Sequence, residues 1–507
     1  MPFGMVTPLE WVKMWKSECL LPDDAGNPKF DLAAYVTVVV CSHSLQLRFD
    51  TIYAFDGRYF VDAEDKLKDF IRQTLAFMRK ATLKNIEDAY AILLIQVRPK
   101  SAKDGEWNSD PLIPFQNGVL NLDEHVLGPH YRRISCDWGV NAQWHDWAAG
   151  TPSLEDAEEA KIEVKKFLTR VVPDTDTLTV LLQYLGHSLA RADRSDQHVA
   201  LLYGFGSNGK SVFLQVLHKL FEGYASSVSL SSLATNRFAA SSLVKSAVNI
   251  VGDMSAERLT TTDILKAVSG GDNIEIEQKF KARELVSTKV KMWFSVNELP
   301  STADNTHGFY RRMLIFPFMQ IISEEERDTS LLQKLTTPAA LSYLAYLAIS
   351  TYWVLAGKAI KPSEEMKQLT ATYQGQNDLL SQALADQIFS LGDSDLSIPK
   401  WFFQEVLNLY AEQEGRKPIS TVKITAKLKD LTKGAVSEKR PGTGSDREHV
   451  WCGVGITDTG LALCQTKEIV KENSASKDEI KVVKLNMMEY YKQKKDRPYP
   501  YSITAIS

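Results

Sequence analysis

Residues 199–211 read Val-Ala-Leu-Leu-Tyr-Gly-Phe-Gly-Ser-Asn-Gly-Lys-Ser, an apolar run followed by Gly-x-x-x-x-Gly-Lys-Ser at Gly204, Gly209, Lys210 and Ser211. The segment after it, Val212 to Phe221, carries apolar residues at helical spacing. Strand, glycine loop and helix in that order are what a polyphosphate-binding loop requires. Gly204, Gly206 and Gly209, with the short polar residues Ser207 and Asn208, let backbone N–H groups turn inward around an anion, and the helix N-terminus adds the positive end of its dipole. Lys210 is then expected on the β- and γ-phosphates and the Ser211 hydroxyl on Mg²⁺, so the expected cofactors are ATP and Mg²⁺. A glycine turn that merely precedes Lys-Ser is the weaker alternative, because the flanking strand and helix are both in place.

Such a site also needs a carboxylate. Val248-Asn-Ile-Val-Gly-Asp253 is a short apolar strand ending in an acid, 43 residues after Lys210, which makes Asp253 the candidate on the metal side. Glu257 is the nearest candidate base for the attacking water. The alternation at Ile274 and Ile276, followed by Lys279, Phe280, Lys281 and Arg283, predicts a β-hairpin with a basic and aromatic tip. Lysines there suit phosphates and the ring suits sugars or bases, although lysines on an exposed hairpin also simply solubilise it. Val290-Lys-Met-Trp-Phe-Ser-Val-Asn297 is a further buried strand whose terminal amide can contact a γ-phosphate and polarise water. Arg311 and Arg312 stand just before another apolar strand. A guanidinium stays charged and fits phosphate oxygens bidentately, and one this far along the chain can act on a neighbouring subunit's nucleotide. A structural ion pair is the alternative for each arginine singly.

The ordered set Gly-Ser-Asn-Gly-Lys-Ser (206–211), Ser-Gly-Gly-Asp (269–272), Phe-Ser-Val-Asn-Glu-Leu-Pro (294–300) and Gly-Phe-Tyr-Arg-Arg-Met-Leu-Ile-Phe-Pro-Phe (308–318) resembles the superfamily 3 helicases, among them the poxvirus and phage/plasmid primase–helicase type. Phe-Gln-Asn-Gly-Val-Leu-Asn-Leu (115–122) and the helical stretch 151–190 are similar to that family's region ahead of the ATPase, and the basic 400–456 segment to its winged-helix end. The resemblance covers residues 50–456 and is specific only over 200–318. It implies an AAA+-like α/β P-loop core assembled as a hexameric ring, with ATP between subunits and DNA in the central channel. Lys279 and Lys281 would then sit on the channel hairpin, Asn297 would be the sensor, and Arg311 or Arg312 the finger supplied in trans. It further implies a replicative helicase of a phage, plasmid or mobile element that translocates on single-stranded DNA, unwinds forked DNA and works beside a separate primase, polymerase or initiator. The sequence departs from the family at Gly252-Asp253-Met254, where many relatives carry two adjacent acids, and this leaves the water-activating base open. Neither Asp174/Asp176 nor Asp393/Asp395 lies in a strand with a basic or histidine partner following, so primase chemistry is not expected. A ring ATPase that recognises or remodels origin DNA without processive unwinding is the alternative. A small-molecule kinase is disfavoured by the paired arginines and the basic C-terminus.

The elements that must position these residues are read from pattern and composition. A chain of 507 residues implies about three domains or more. Hydrophobic residues at 44% and charged residues at 24% are those of an ordinary globular protein. No uninterrupted apolar run reaches about 18 residues, and the opening Met-Pro-Phe-Gly-Met-Val-Thr-Pro has no secretory pattern, so a cytoplasmic protein without membrane partners is expected. The five cysteines are scattered without a Cys-x-x-Cys, which supports neither a zinc ribbon nor a disulfide framework. Net charge is −4, yet residues 401–507 hold 18 Lys+Arg against 14 Asp+Glu. A basic module on an acidic body suits DNA, a solvated basic face being the alternative.

The expected organisation is a mixed α/β region (1–110), a helical pre-ATPase region (111–190), the ATPase core (191–320), a helical continuation (321–376), a winged-helix-like DNA-binding domain (377–460) and a basic tail (461–507). In the first, Tyr35–Val40 leans to β, 52–61 reads as a hairpin about Asp56-Gly57, and 63–80 and 84–96 are helical. In the second, a turn at Asn117-Gly118 and a Trp138/Trp144/His145/Trp147 packing cluster precede helices at Glu155–Arg170 and Leu178–Leu189. The winged-helix-like region is read as helices Asp378–Phe389, Trp401–Gln413 and Val422–Leu431, a Pro-Gly-x-Gly turn at 441–444 and a strand Val450–Ile456, with Lys423, Lys427, Lys439 and Arg440 as DNA-contact candidates. The Lys-rich polar tail is expected to lack a fixed core.

Overall fold

The computed structural model describes residues 3–465 apart from short internal stretches, the longest being 98–109, 131–135, 255–258, 278–283, 392–395, 415–420, 432–435 and 440–448, and two later segments, 468–471 and 483–486. The chain forms two compact units, residues 1–300 with 306–370 and residues 301–305 with 371–507.

The first unit is mixed α/β, built on a five-stranded parallel sheet. Its leading helices are α1 (Ala157–Val171) and α2 (Thr175–Leu189). There follow β1 (Val199–Tyr203), α3 (Lys210–Leu220), β2 (Ala225–Ser226), β3 (Val248–Met254), α4 (Asp263–Gly270), the hairpin β4 (Asn273–Ile276) and β5 (Glu284–Ser287), β6 (Lys291–Val296), α5 (His307–Tyr310), β7 (Met313–Pro317) and α6 (Pro338–Leu355). The sheet order is β2-β3-β6-β1-β7, every pair parallel. Sheets of this kind are covered on both faces, so their strands read as continuous apolar runs rather than alternating ones. Accordingly Ala200, Leu201, Leu202, Trp293, Phe294, Leu314, Ile315 and Phe316 are all buried. Each large apolar side chain so buried contributes about 1.5–3 kcal/mol.

Helix α2 starts at the Asp174 cap, whose Oδ2 accepts from the Thr177 N–H at 2.7 Å, and lies against β6, where Tyr184 meets Trp293 at 4.8 Å between ring centroids. The Trp293 indole donates to Ser188 Oγ at 3.1 Å. On its other side α2 approaches α6 closely at Gly186, where a Cβ would lie 2.5 Å from the Ala348 carbonyl oxygen. Helix α6 is apolar and long enough to cross a membrane, but slightly more than half of it, 56%, is buried in this unit's core. The tryptophan cluster ahead of α1 packs here too, with Trp144 against Trp353 and the Trp147 indole donating to Ser342.

The N-terminal residues hold their own core about Trp11, Tyr35, Leu67, Phe70 and Leu93. The hairpin about Asp56-Gly57 and helices Glu64–Phe77 and Leu83–Val97 are found where the pattern puts them. The β-leaning stretch Tyr35–Val40 is instead part of a helix, Leu32–Ser42. Asp31 caps it by accepting from Ala34 N–H at 2.7 Å, and Tyr35, Val36 and Val39 form one buried face. Capping and tertiary burial outweigh the β preference of the valines.

In the second unit, helix α7 (Leu379–Ala385) is shorter than the reading Asp378–Phe389. Gln387 takes a left-handed φ of 55°, which ends the helix, and Phe389 begins strand β8 (Phe389–Leu391). Then come β9 (Ser397–Pro399), α8 (Lys400–Gln413), α9 (Thr421–Leu431), β10 (Ser437–Lys439), β11 (Val450–Cys452), β12 (Val454–Ile456) and α10 (Asp458–Gln465). The single strand expected over 450–456 is two, broken at Gly453 with φ 85°. β11 pairs antiparallel with both β9 and β10, and β12 with β8, over a core containing Phe402, Phe403, Leu407 and Trp451. Within the tail, 468–471 and 483–486 pair antiparallel.

Candidate nucleotide site

The parallel register decides what can meet. Tyr203 of β1 pairs with Val296 of β6 and Pro317 of β7, so the loop after β1, Asn297 after β6 and Phe318 after β7 share the carboxyl edge of the sheet. Asp253 joins them near the end of β3, where Met254 pairs with Val296. Ligands of open α/β sheets bind at this edge.

The loop is held by its neighbours. A Cβ on Gly204 would lie 2.1 Å from the Phe318 carbonyl oxygen, so only glycine lets the two backbones approach. Asn208, buried, donates from Nδ2 to the same Phe318 carbonyl at 2.6 Å, and Ile322 N–H donates to Ser207 O at 2.8 Å. Gly206, Ser207 and Gly209 take φ of 102°, 46° and 85°, the left-handed turns that aim successive N–H groups inward. Gly209 opens α3, and a Cβ there would lie 2.5 Å from Val171 Cγ1 of α1.

Lys210 is buried, and its ammonium donates to Gly204 O at 2.5 Å, to Asn208 Oδ1 at 3.2 Å and to Asn297 Oδ1 at 3.2 Å. Burial lowers its pKa, partly offset by the charge of Asp253. A desolvated cation held by neutral oxygens is poised for an anion, which none of these groups supplies. Ser211 in the first turn of α3 and Asp253 are exposed. The β3–β6 register slips between Val251 and Met254, so Gly252 and Asp253 stand together opposite Ser295 and both face solvent. Loop, lysine, hydroxyl and acid could together hold a magnesium–nucleotide, Ser211 and Asp253 being the exposed oxygens available to the metal. Among the described residues no cluster of three His, Cys, Asp or Glu could hold a metal independently.

Arg311 and Arg312 are not brought to this edge. They precede Met313, which pairs with Val199 at the start of β1, so a strand length, roughly 13–16 Å, separates them from the glycine loop that follows β1. Arg311 is exposed and donates from Nη2 to Gln197 Oε1 at 3.2 Å. Arg312 is half-buried and donates from Nη1 to Gly308 O at 2.5 Å; its Nε is buried without a hydrogen-bond partner among the described residues. Burial and the Arg311 charge lower its pKa against the charge of Asp272. Beneath them lies an arrangement that sequence reading missed. Lys291 Nζ donates to Asp196 O at 2.5 Å and Oδ2 at 3.1 Å, and His198 Nδ1 lies 2.5 Å from Asp196 Oδ1, all within the first unit's interior or its margin. Burial acts to raise the Asp196 pKa, but Lys291 and His198 overcome it and hold the carboxylate well below its usual range.

Of the proposed nucleic-acid contacts, Lys279, Phe280, Lys281 and Arg283 lie outside the described residues, as do Glu257 and Arg440. The described hairpin stem pairs Asn273–Ile276 with Glu284–Ser287. In the second unit Lys423 lies on α9, Lys439 is exposed on β10, and Lys427 is ion-paired with Asp378, the cap of α7. Burial lowers the Lys427 pKa.

Residues 202–312 match a family of unknown function (DUF5906), a stretch that includes the loop, Asp253, Asn297 and both arginines. A protein of Acanthamoeba polyphaga mimivirus, named "Putative helicase L207/L206", is 22% identical over 230 residues, which are 44% of this chain. The chain matches 23% of that relative's length. The sequence is thus similar to a helicase-like protein. Among solved structures, the A form of the apo NrS-1 C-terminal region has a TM-score of 0.46 at 13% identity, covering 83% of this chain and 98% of its own. A second apo structure of that region (305–718) has a TM-score of 0.46 at 12% identity, covering 84% and 100%.

Proposed function

We propose that the chain is an ATP-dependent DNA helicase that works as a ring, with each nucleotide held at the carboxyl edge of one sheet and completed by an arginine from the next copy. The observation that carries this reading is the placement of the two halves of the chemistry on opposite edges of one sheet. Lys210, Asp253 and Asn297 gather at the loop edge, whereas Arg311 and Arg312 lie a strand length away. Arginines so placed cannot serve their own loop and are available to another copy's.

The chemistry follows from the residues. The loop N–H groups and Lys210 bind and orient the phosphates, and an ammonium already stripped of water interacts with them strongly. Magnesium, when bound through Ser211 and Asp253, supplies charge neutralisation at the transferred phosphoryl group. Asn297 holds the lysine and presents its amide toward the position of the γ-phosphate and attacking water. Conversion of turnover to movement on DNA is assigned to the β4–β5 hairpin. The second unit's order of α7, β8, β9, α8, α9, β10, β11, β12 and α10, with residues 440–448 between the paired strands β10 and β11, supports a winged-helix-like DNA-binding role. A cytoplasmic setting and a separate primase or polymerase are proposed with it.

A second reading, a DNA-remodelling ring without processive unwinding, is favoured by one observation: Gly252 rather than a second acid shares the bulge with Asp253. Strand displacement on forked DNA separates the two. Displacement that needs hydrolysable ATP supports the helicase, and DNA-stimulated hydrolysis without displacement supports the remodeller.

A further inference from the structure

The paired arginines differ in their surroundings in a way that the sequence does not show. A residue that stabilises charge on another copy's nucleotide must be reachable from outside and must carry its charge uncompensated. Arg312 meets neither requirement. Its Nε is buried, its Nη1 is given to Gly308 O, and Asp272 lies beside it: the Asp272 carboxylate and the Arg312 guanidinium both approach the space next to Gly270, where a Cβ would be 3.3 Å from Asp272 Oδ2 and 3.9 Å from Arg312 Nη2. Its backbone is also in use, since Arg312 O accepts from Val199 N–H at 2.7 Å as the sheet begins.

Arg311 meets both. It is exposed, and its guanidinium donates to a neutral amide oxygen, Gln197 Oε1. Gln197 in turn stands between two anchored residues. On one side Asp196 is buried and gripped through both its carbonyl and its carboxylate by Lys291. On the other, the His198 carbonyl lies 3.0 Å from the Tyr184 hydroxyl, which also receives the Met292 N–H at 3.1 Å. The short segment 196–198 is therefore fixed to β6 and α2, and Gln197 projects from it as a rigid rest for the guanidinium that leaves the charge intact.

We infer that Arg311, rather than Arg312, is the guanidinium presented to the nucleotide of a neighbouring copy, and that Gln197 is the residue that positions it. This rests on the ring-ATPase reading above. Gln197 does not touch the nucleotide in this scheme; it restricts the directions that Arg311 samples, so its loss lowers kcat and leaves KM nearly alone. Replacing its amide by a carboxylate is worse than removing it, because an acid neutralises the charge that the neighbour needs.

The test uses the full chain. ATP hydrolysis is measured for wild type, Lys210→Ala, Arg311→Ala, Gln197→Ala and Gln197→Glu, and for an equal mixture of the Lys210→Ala and Arg311→Ala proteins, with thermal melts of each. Arg311→Ala is expected to lose at least about 10³-fold in kcat. The mixture is expected to regain turnover well above either protein alone, because head-to-tail assembly then joins intact loops to intact Arg311 at about a quarter of the contacts. Gln197→Ala is expected to lower kcat by about tenfold with KM for ATP within about twofold, and Gln197→Glu to lower kcat further at the same melting temperature. Arg311→Lys, which keeps the exposed charge but not the planar fork, takes the place of the alanine variant if that protein does not fold, with the same loss expected. Lys210-dependent turnover that survives Arg311→Ala within tenfold, or is not recovered on mixing, or responds alike to the two Gln197 variants, overturns this assignment and leaves the ATPase reading standing. Absence of any Lys210-dependent turnover overturns both.

Discussion

Lys210 donates to Asn297 Oδ1 at 3.2 Å, joining the first turn of α3 to the end of β6 across 87 residues of chain. The two residues belong to separate motifs in the sequence and to one site in the fold. Asn297→Ala should therefore lower kcat for ATP by about 10²-fold, the loss seen when one preorganised amide donor is removed from a charged transition state, with nucleotide affinity changed far less. Steady-state kinetics beside nucleotide titration checks this; equal losses in both would place Asn297 in binding alone.

The same lysine carries a stability signature. Burial lowers its pKa, so the folded protein disfavours its charged form. Lys210→Met, close in length and uncharged, should raise the melting temperature near neutral pH while abolishing turnover. A lower melting temperature would show that the ammonium stabilises the nucleotide-free fold.

Glycines of the loop separate two kinds of strain. Gly206 and Gly209 both have positive φ, but a Cβ on Gly206 meets nothing within 4 Å whereas one on Gly209 would meet Val171. Gly206→Ala should lose only the backbone term, about 1–3 kcal/mol, and Gly209→Ala a further overpacking term of about 1–3 kcal/mol. Denaturant unfolding of Gly209→Ala with and without Val171→Ala measures the second term directly, since the smaller side chain on α1 should restore it.

The Asp196–Lys291 pair gives a prediction in pH. Asp196 is held ionised well below its usual 3.8, so it stabilises the folded state fully above that value and its contribution is lost as the pH falls below it. Asp196→Asn should flatten the acid limb of the stability curve. At neutral pH it should lose about 3–5 kcal/mol by leaving Lys291 buried without its anion, and Asp196→Leu with Lys291→Met should lose less than either single change. A double-mutant cycle showing plain additivity would contradict the coupling.

Much of this site is legible in the sequence because its parts are local. A glycine loop, a strand ending in an acid and a strand ending in an amide can each be read within ten residues, and buried parallel strands announce themselves as short apolar runs such as Val199–Leu202. What joins them is strand order, which no local pattern encodes, and so the opposite-edge placement of Arg311 is a finding of the fold. Lys291 and Asp196 were invisible for the same reason, being 95 residues apart and individually ordinary. Gly186 looks like a helix weakness until Ala348 is seen against it. At 32–42 the valine content favours a strand, while the capping Asp31 and the packing of one face decide for a helix.

The lysines of the second unit divide by partner. Lys427 is ion-paired with Asp378, whereas Lys439 is exposed on β10. Lys439→Ala should weaken single-stranded DNA binding and reduce the salt dependence of log K by about 0.7, the share of one phosphate contact. Lys427→Ala should lower thermal stability and leave that slope unchanged. Fluorescence titrations at several salt concentrations distinguish them, and equal slope changes would place Lys427 on the nucleic acid as well.

The most direct measurement is ATP hydrolysis with and without single-stranded DNA, on wild type and on Lys210→Ala. Wild-type turnover is expected to be stimulated by DNA and to be abolished in Lys210→Ala under both conditions. Turnover that persists in Lys210→Ala, or a wild type that binds no ATP, would contradict the ATPase reading.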